Sequence, residues 1–214
     1  MAKPRAAVPK RRKSRVETEL TIVSALEEIL TGQGFDGLGI NAVAQRAGVS
    51  KELIYRYFGG LEGLILAWVE ERDYWSMKRI DAAHEKLSST SASLKTMLRQ
   101  SLTTFLEDLR AKPQVQEIRR WEVSSRNPLA RRIARQREEA GIRLLSRMPK
   151  DPEHDISAIH GILQAGLCYL VLRSAVLETY CGVSLQTPAG WRRFERAIDQ
   201  ILDGVLGTNG TKRK

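Results

Sequence analysis

The sequence is poor in cysteine and histidine, with 2 cysteines and 3 histidines in 214 residues. Cys168 and Cys181 cannot build the disulfide framework of a small secreted protein, and they fit a reducing cytoplasm. The three histidines, His84, His154 and His160, do not complete a ligand spacing, so we predict no bound metal. These scarcities favour an intracellular protein without a metal centre.

The motifs of common enzyme classes are also missing. The chain has no glycine-rich phosphate loop, no zinc-binding spacing and no nucleophile elbow. On one helix, Cys168 and His160 would be separated by about 12 Å of rise, too far for a nucleophile and its base. We therefore predict that the protein is not an enzyme and needs no cofactor.

Long apolar runs are missing as well. The longest, from about Ile156 to Leu172, is interrupted by Ser157, His160 and Gln164 and is short for a membrane span. No apolar run follows the basic first residues, as a secretory signal would require. The prediction is a soluble, cytoplasmic protein that does not bind membranes.

Positive charge is abundant and uneven. The net charge of +10 suits an anionic partner. Seven of the basic residues precede the first acidic residue, Glu17. We predict that residues 1–13 form a basic, disordered arm, in which Arg12 and Lys13 contact DNA. A solubilising tail without specific contacts is the alternative.

Residues 40–58 have the pattern of two short helices joined by a tight turn. Apolar residues three and four apart predict a first helix over Ile40–Ala47, and Gly48 suits the left-handed turn that ends it. Ser50 is a suitable N-cap for the second helix, whose Ile54 faces inward. Such a pair of helices can place the second one in the major groove of DNA.

The resemblance to a known family lies in this segment, in Val43-Ala44, Ala47-Gly48, Val49-Ser50-Lys51 and Ile54-Tyr55-Arg56-Tyr57-Phe58. It resembles the TetR family of bacterial transcription regulators. Ile22-Val23-Ser24-Ala25-Leu26 and Gly34-Phe35 are similar to that family's first helix and the turn after it. Two positions depart from the family: Gly39 replaces a capping Thr or Ser, and Gly59-Gly60-Leu61-Glu62 lacks a Lys that touches phosphate.

The resemblance implies an all-α fold. An N-terminal three-helix helix-turn-helix DNA-binding domain would occupy residues 14–60, and a larger helical effector-binding and dimerisation domain residues 61–207. Residues 208–214 would be a disordered tail. The predicted DNA-binding residues are Arg12, Lys13, Asn41, Ser50, Lys51, Glu52, Leu53, Tyr55, Arg56 and Tyr57. Glu52 could accept a hydrogen bond from cytosine or pair with Arg56 along the helix, and both alternatives stay open.

The pattern after residue 60 stays helical. We predict one long helix over Leu61–Leu87, another over Ser93–Ala111, and helix starts at Asn127-Pro128 and Thr187-Pro188. The most apolar helix should run from about Pro152 to Tyr180. Four arginines at positions 131, 132, 135 and 137 are predicted to lie on a solvated helix face.

The last two helices are the candidates for a dimer interface, because the first of them is apolar almost all round. The predicted interface residues are Gly161, Ala165, Phe194, Ile198, Ile201 and Val205, in a four-helix packing. The same helix carries a polar stripe, which could face an effector cavity or lie in the core or interface. The predicted ligand-binding residues are Phe105, Trp121, His160, Gln164 and Cys168.

The sequence thus predicts a homodimeric, sequence-specific transcription regulator that binds a palindromic operator in double-stranded DNA. The resemblance implies a repressor released by a small-molecule effector, and an apolar lining would suit a largely apolar one. Two alternatives remain: an effector-independent DNA binder used for structure or occlusion, marked by a fully packed core, and a helical protein-interaction module, marked by an exposed apolar patch.

Overall fold

The computed structural model describes residues 14–71, 77–88 and 92–207, and within them the chain forms ten helices and one short hairpin. The predicted all-α fold is confirmed. The chain divides into two compact units, Met1–Trp68 and Val69–Lys214. The domain boundary predicted from the sequence lay earlier, after residue 60. The predicted arm with Arg12 and Lys13, and the predicted tail, lie outside the described residues.

The first unit is built from α1 to α3 and most of α4. Their bounds are α1 Arg15–Gln33, α2 Ile40–Ala47, α3 Lys51–Phe58 and α4 Leu61–Glu71. Ser14 and Glu17 form a capping box at the start of α1, in which each side chain accepts the other residue's backbone N–H. This reciprocal pairing satisfies two amide donors that the first helical turn leaves open.

The core of the first unit is formed by buried residues from α1, α2, α3 and α4. Ile22, Leu26, Val43 and Ile54 are fully enclosed, and so is Trp68. The indole Nε1 of Trp68 donates to Glu27 Oε1 at 2.8 Å, which ties the end of α4 to α1. Because this tryptophan belongs to the core of the first unit, the unit extends past residue 60.

The second unit is arranged around α6. Its elements are α5 Met77–Ser88, α6 Leu94–Ala111, α7 Pro113–Ser124, α8 Pro128–Ser146, α9 Ile156–Arg173, β1 Thr179–Tyr180, β2 Val183–Ser184 and α10 Pro188–Leu206. Helix α6 packs against α5, α7, α9 and α10. The helix predicted over Leu61–Leu87 corresponds to α4 and α5, and residues 72–76 between them lie outside the described part.

Side-chain caps define the starts of α6, α8 and α10. Ser93, Asn127 and Thr187 accept backbone N–H groups from Thr96, Leu129 and Gly190. Pro128 and Pro188 occupy the first helical position, where a missing N–H costs nothing. The helix starts predicted from these residues are confirmed.

The helix predicted over Pro152–Tyr180 was too long at both ends. Asp155, and not Pro152, is its N-cap, since the Asp155 carboxylate accepts from the amide of Ala158. At the other end the helix stops at Arg173 and a turn leads into the hairpin of β1 and β2. The hairpin turn has positive φ at Cys181 (49°) and Gly182 (73°), a conformation that a helix cannot contain.

Candidate DNA-binding surface and ligand cavity

Helix α3 is held by its inner face and exposes its outer face. Ile54 is fully buried, whereas 58% of Tyr55 is exposed. Lys51, Glu52 and Arg56 are also exposed, and Leu53 is half-buried. The Gly48 turn before the helix has φ 65° and ψ 35°, the left-handed conformation that the sequence predicted. A rigid base with an outward row of polar and aromatic side chains is what insertion into a DNA groove requires.

Ser50 occupies the N-cap position of α3 without capping through its side chain. Its hydroxyl donates instead to Glu52, and this hydrogen bond holds the pKa of the Glu52 carboxyl below its ordinary value. Ser50 is thus the N-cap residue that the sequence predicted, but its side chain accepts no backbone N–H. In the described part of the chain no ion pair joins Glu52 to Arg56, so Glu52 presents a charged carboxylate at the start of α3.

Two guanidinium groups lie close to the ring of Tyr57. Arg15 of α1 and Arg56 of α3 lie 5.2 and 5.3 Å from its centroid. Arg15 also pairs with Glu19 one turn further along α1, at 2.7 Å. The stack places two cations from different helices on one aromatic ring, beside the exposed face of α3. Sequence reasoning missed Arg15 here, because its partner ring is 42 positions away in the chain.

The turn after α3 leaves room for Tyr55. Gly60 has φ 114°, and a Cβ added there would lie 3.2 Å from Tyr55 Cε1. A larger residue at position 60 would therefore displace the ring as well as strain the backbone. Asn41, the remaining predicted DNA-binding residue, is exposed on α2. Its Gly39 cap contributes no side-chain hydrogen bond, as the departure from the family pattern predicted.

A cavity of about 400 Å³ opens in the second unit between α6, α7, α8 and α9. Its lining is mostly apolar and includes three of the predicted ligand-binding residues: Phe105, Gln164 and Cys168. Trp121 and His160, the other two, are not part of the lining. Burial raises the pKa of the Cys168 thiol, so that it stays protonated and unreactive as a nucleophile.

Three charged side chains meet in the wall of this cavity. Glu122 Oε1 accepts from Arg137 Nε at 2.8 Å, and Glu122 Oε2 lies 3.5 Å from Arg119 Nη1. Only 5% of the Glu122 side chain and 8% of the Arg119 side chain are exposed. Glu138 also lines the cavity, so the two guanidinium groups are matched by two carboxylates. The sequence analysis placed Arg137 on a solvated helix face. Its partner Glu122 lies on another helix, and periodicity along one helix cannot reveal such a pair.

His160 lies on the core side of α9. Its Nε2 is 3.4 Å from the hydroxyl of Ser101, and that hydroxyl donates its single hydrogen to the carbonyl of Leu98. His160 must then donate from Nε2, in the neutral form. Burial lowers the pKa of His160 to about 4, with a smaller effect from the charge of His84. The predicted polar stripe is therefore divided, with His160 in the core and Gln164 and Cys168 on the cavity.

The predicted interface residues of α9 and α10 differ in exposure. Gly161 and Ala165 are exposed, and 46% of Ile201 is exposed. Ile198 is buried inside its own unit, and Phe194 and Val205 are half-buried. Among the described residues, no cluster of three or more potential metal ligands occurs.

The fold and the exposed α3 together define an all-α protein with a helix-turn-helix DNA-binding unit and a second helical unit that contains a cavity. Residues 22–68 match the model of a family described as bacterial regulatory proteins, tetR family. No curated protein matches the chain. The chain thus carries the DNA-binding domain of the TetR family of bacterial transcription regulators, and the resemblance predicted from the sequence is confirmed.

Several solved structures share the fold over nearly their whole length. The fatty acid degradation regulator FadR from Bacillus halodurans is 18% identical, with TM-score 0.62, covering 86% of this chain and 97% of that one. FadR from Bacillus subtilis in complex with stearoyl-CoA is 14% identical, with TM-score 0.63 and coverages of 86% and 96%. The multidrug binding protein EbrR complexed with imidazole is 20% identical, with TM-score 0.59 and coverages of 91% and 96%. Identities this low show the shared fold and nothing finer.

Proposed function

We propose that this protein is a dimeric, sequence-specific repressor that binds a palindromic operator and is released from it by a largely apolar small molecule. The observation that carries the DNA-binding part is the exposed face of α3. Its inner residue Ile54 is fully buried, while Lys51, Tyr55 and Arg56 point outward. Base edges in the major groove would meet the centre of this face, and phosphates would meet its flanks.

The cavity supports an effector. Its volume of about 400 Å³ lies within the range of small-molecule sites, and its apolar lining carries a few polar groups, as such sites do. A ligand there would contact Phe105, Gln164 and Cys168 and meet the Arg119–Glu122–Arg137 cluster. The solved relatives with stearoyl-CoA and with imidazole support ligand binding in proteins of this fold. The cavity also favours this proposal over a DNA binder without an effector, for which a closed core was expected.

Release would follow from a population shift. An effector that binds one conformation of the dimer more tightly favours that conformation, and the separation of the two α3 helices then no longer fits the operator. A factor of ten in operator affinity needs about 1.4 kcal/mol of differential effector binding.

The test is selection of bound DNA from a random pool by the purified protein, followed by sequencing. We expect a palindrome with half-sites about one helical turn, or a multiple of it, apart. Arg56→Ala should then weaken binding to that palindrome about tenfold or more in a gel shift. Arg143→Ala, which removes an exposed arginine from α8, is the matched control and should bind as the wild type does. Recovery of no motif, with binding that disappears as salt rises, would contradict the proposal and favour non-specific occlusion.

A further inference from the structure

The start of α1 and the end of α3 meet at one aromatic ring. The guanidinium carbons of Arg15 and Arg56 lie 5.2 and 5.3 Å from the centroid of the Tyr57 ring. Tyr57 is half-buried, whereas Arg56 is exposed and so is 71% of the Arg15 side chain. Both cations therefore lie at the surface beside the outer face of α3, where a bound duplex would present its phosphates.

Glu19 holds the Arg15 guanidinium by one edge. Arg15 Nε donates to Glu19 Oε1 at 2.7 Å, one helical turn along α1. Among the residues that the structure describes, the two terminal nitrogens of Arg15 donate to no other group. A guanidinium is a planar fork of donors, and its terminal pair matches two oxygens of a phosphate. The carboxylate and the ring together thus orient the guanidinium and leave its terminal nitrogens available to a ligand.

We propose that Arg15 binds a backbone phosphate of DNA through its terminal nitrogens, at the flank of α3, and that Glu19 is the positioning residue that orients it. This inference rests on the DNA binding of the proposed function and adds a contact from α1. The DNA backbone is the phosphate source that fits, because the ring beside Arg15 belongs to the helix that would enter the groove. Neither residue belongs to the two-helix motif of α2 and α3.

A phosphate contact of this kind has a defined signature. It strengthens binding to every DNA sequence alike and leaves the reading of bases to the exposed face of α3. Glu19 affects the contact in two opposite ways, because its carboxylate orients Arg15 but also repels the phosphate. Solvent weakens that repulsion, since 31% of the Glu19 side chain is exposed. Substitutions that remove the charge but keep the hydrogen bond separate the two effects.

The salt dependence of DNA binding tests the contact in the full-length protein. Fluorescence anisotropy measures the affinity for the selected palindrome and for an unrelated duplex over a range of salt concentrations. Arg15→Ala should weaken binding to both duplexes by about tenfold and lower the slope of log affinity against log salt by about one per bound DNA-binding unit. Arg15→Lys should keep the slope but bind more weakly than the wild type, because lysine lacks the planar fork.

Arg46→Ala is the matched control. Arg46 of α2 is an exposed arginine that also pairs with α1, through Glu28 at 3.1 Å. Glu28 follows Arg15 by about 20 Å of rise along α1, beyond the screening length of about 8 Å at physiological salt. The loss of Arg46 should leave the affinity and the salt slope as in the wild type, and circular dichroism must show that both alanine variants are folded.

Two neutral substitutions of Glu19 test its positioning role. Glu19→Gln keeps an oxygen that can accept from Arg15 Nε, whereas Glu19→Ala keeps none. Both remove the same charge, so the glutamine variant should bind at least about threefold more tightly because its Arg15 remains oriented. In an Arg15→Ala background the two Glu19 variants should bind equally, as expected if Glu19 acts through Arg15.

A folded Arg15→Ala protein with the affinity and salt slope of the wild type would overturn the phosphate contact. A loss confined to the palindrome, with an unchanged slope, would overturn it too and assign Arg15 to base recognition. Equal binding by the two Glu19 variants in the wild-type background would overturn the positioning role. Failure of the proposed regulator is a separate result, in which the wild type selects no palindrome while the unrelated duplex still measures the Arg15 contact.

Discussion

The buried His160 predicts a specific loss of stability at acidic pH. Burial lowers its pKa from 6.5 to about 4. The unfolded chain therefore binds a proton at this position at a higher pH than the folded chain does. The contribution of His160 to the free energy of unfolding is fully present above pH 6.5. It is lost as the pH falls from 6.5 toward 4, and it changes no further below that.

The magnitude follows from the two pKa values. The full difference between the unfolded and folded pKa of His160 corresponds to about 3 kcal/mol of unfolding free energy, at about 1.4 kcal/mol per pKa unit. Between pH 7.5 and pH 5, where the unfolded state is almost fully protonated at this histidine and the folded state hardly at all, the loss is about 2 kcal/mol. For a urea slope of about 2 kcal/mol/M, this moves the unfolding midpoint by about 1 M.

The assay compares the wild type with His160→Gln by urea unfolding at both pH values and one protein concentration. Glutamine can still donate toward Ser101, whose hydroxyl lies 3.4 Å from the His160 ring nitrogen, but it does not titrate. Other titrating groups contribute equally to both proteins, so the difference between the two pH dependences isolates His160. If the wild type and the variant lose the same stability between pH 7.5 and pH 5, His160 is not held neutral by burial and the reasoning is refuted.

Three further predictions concern the charged groups. Glu122→Ala should lower the free energy of unfolding by about 3 kcal/mol, because it removes the carboxylate that Arg119 and Arg137 both face. Arg137→Ala should lower the free energy of unfolding by less than Glu122→Ala does, since a third of the Arg137 side chain (33%) is exposed. Thermal denaturation of the two variants checks both expectations. Deletion of residues 1–13 should weaken DNA binding and reduce the dependence of the affinity on salt concentration. An unchanged salt dependence would mean that these residues do not contact DNA phosphates. Glu52→Ala should relax base preference at one operator position by about 1–3 kcal/mol, measured by repeating the selection, and an unchanged motif would place Glu52 away from the bases.

Local signals in the sequence were sufficient for the DNA-binding unit. The bounds of α2, the left-handed Gly48 and the inward Ile54 agree with the prediction, because each depends on hydrogen bonds and packing within a few residues. The same holds for the starts of α8 and α10, which Asn127 and Thr187 cap. Ser50 is the exception, because it occupies the predicted N-cap position but its side chain makes no capping hydrogen bond.

In the second unit, the neighbours of each side chain depend on tertiary packing that the sequence alone did not predict. The polar stripe of α9 is a single row by periodicity, yet α6 faces His160 while the cavity faces Gln164 and Cys168. A helix of 18 residues is about 27 Å long, so its neighbours change along its length.

The sequence by itself determined the class of protein, through a compact motif whose spacing is local. It could not pair Glu122 with Arg137, 15 positions away on another helix, or Arg15 with the ring of Tyr57. It also could not show that Gly161 and Ala165 line a cavity while remaining exposed. Those relations depend on how helices distant in sequence cross one another, and only the packed chain specifies that geometry.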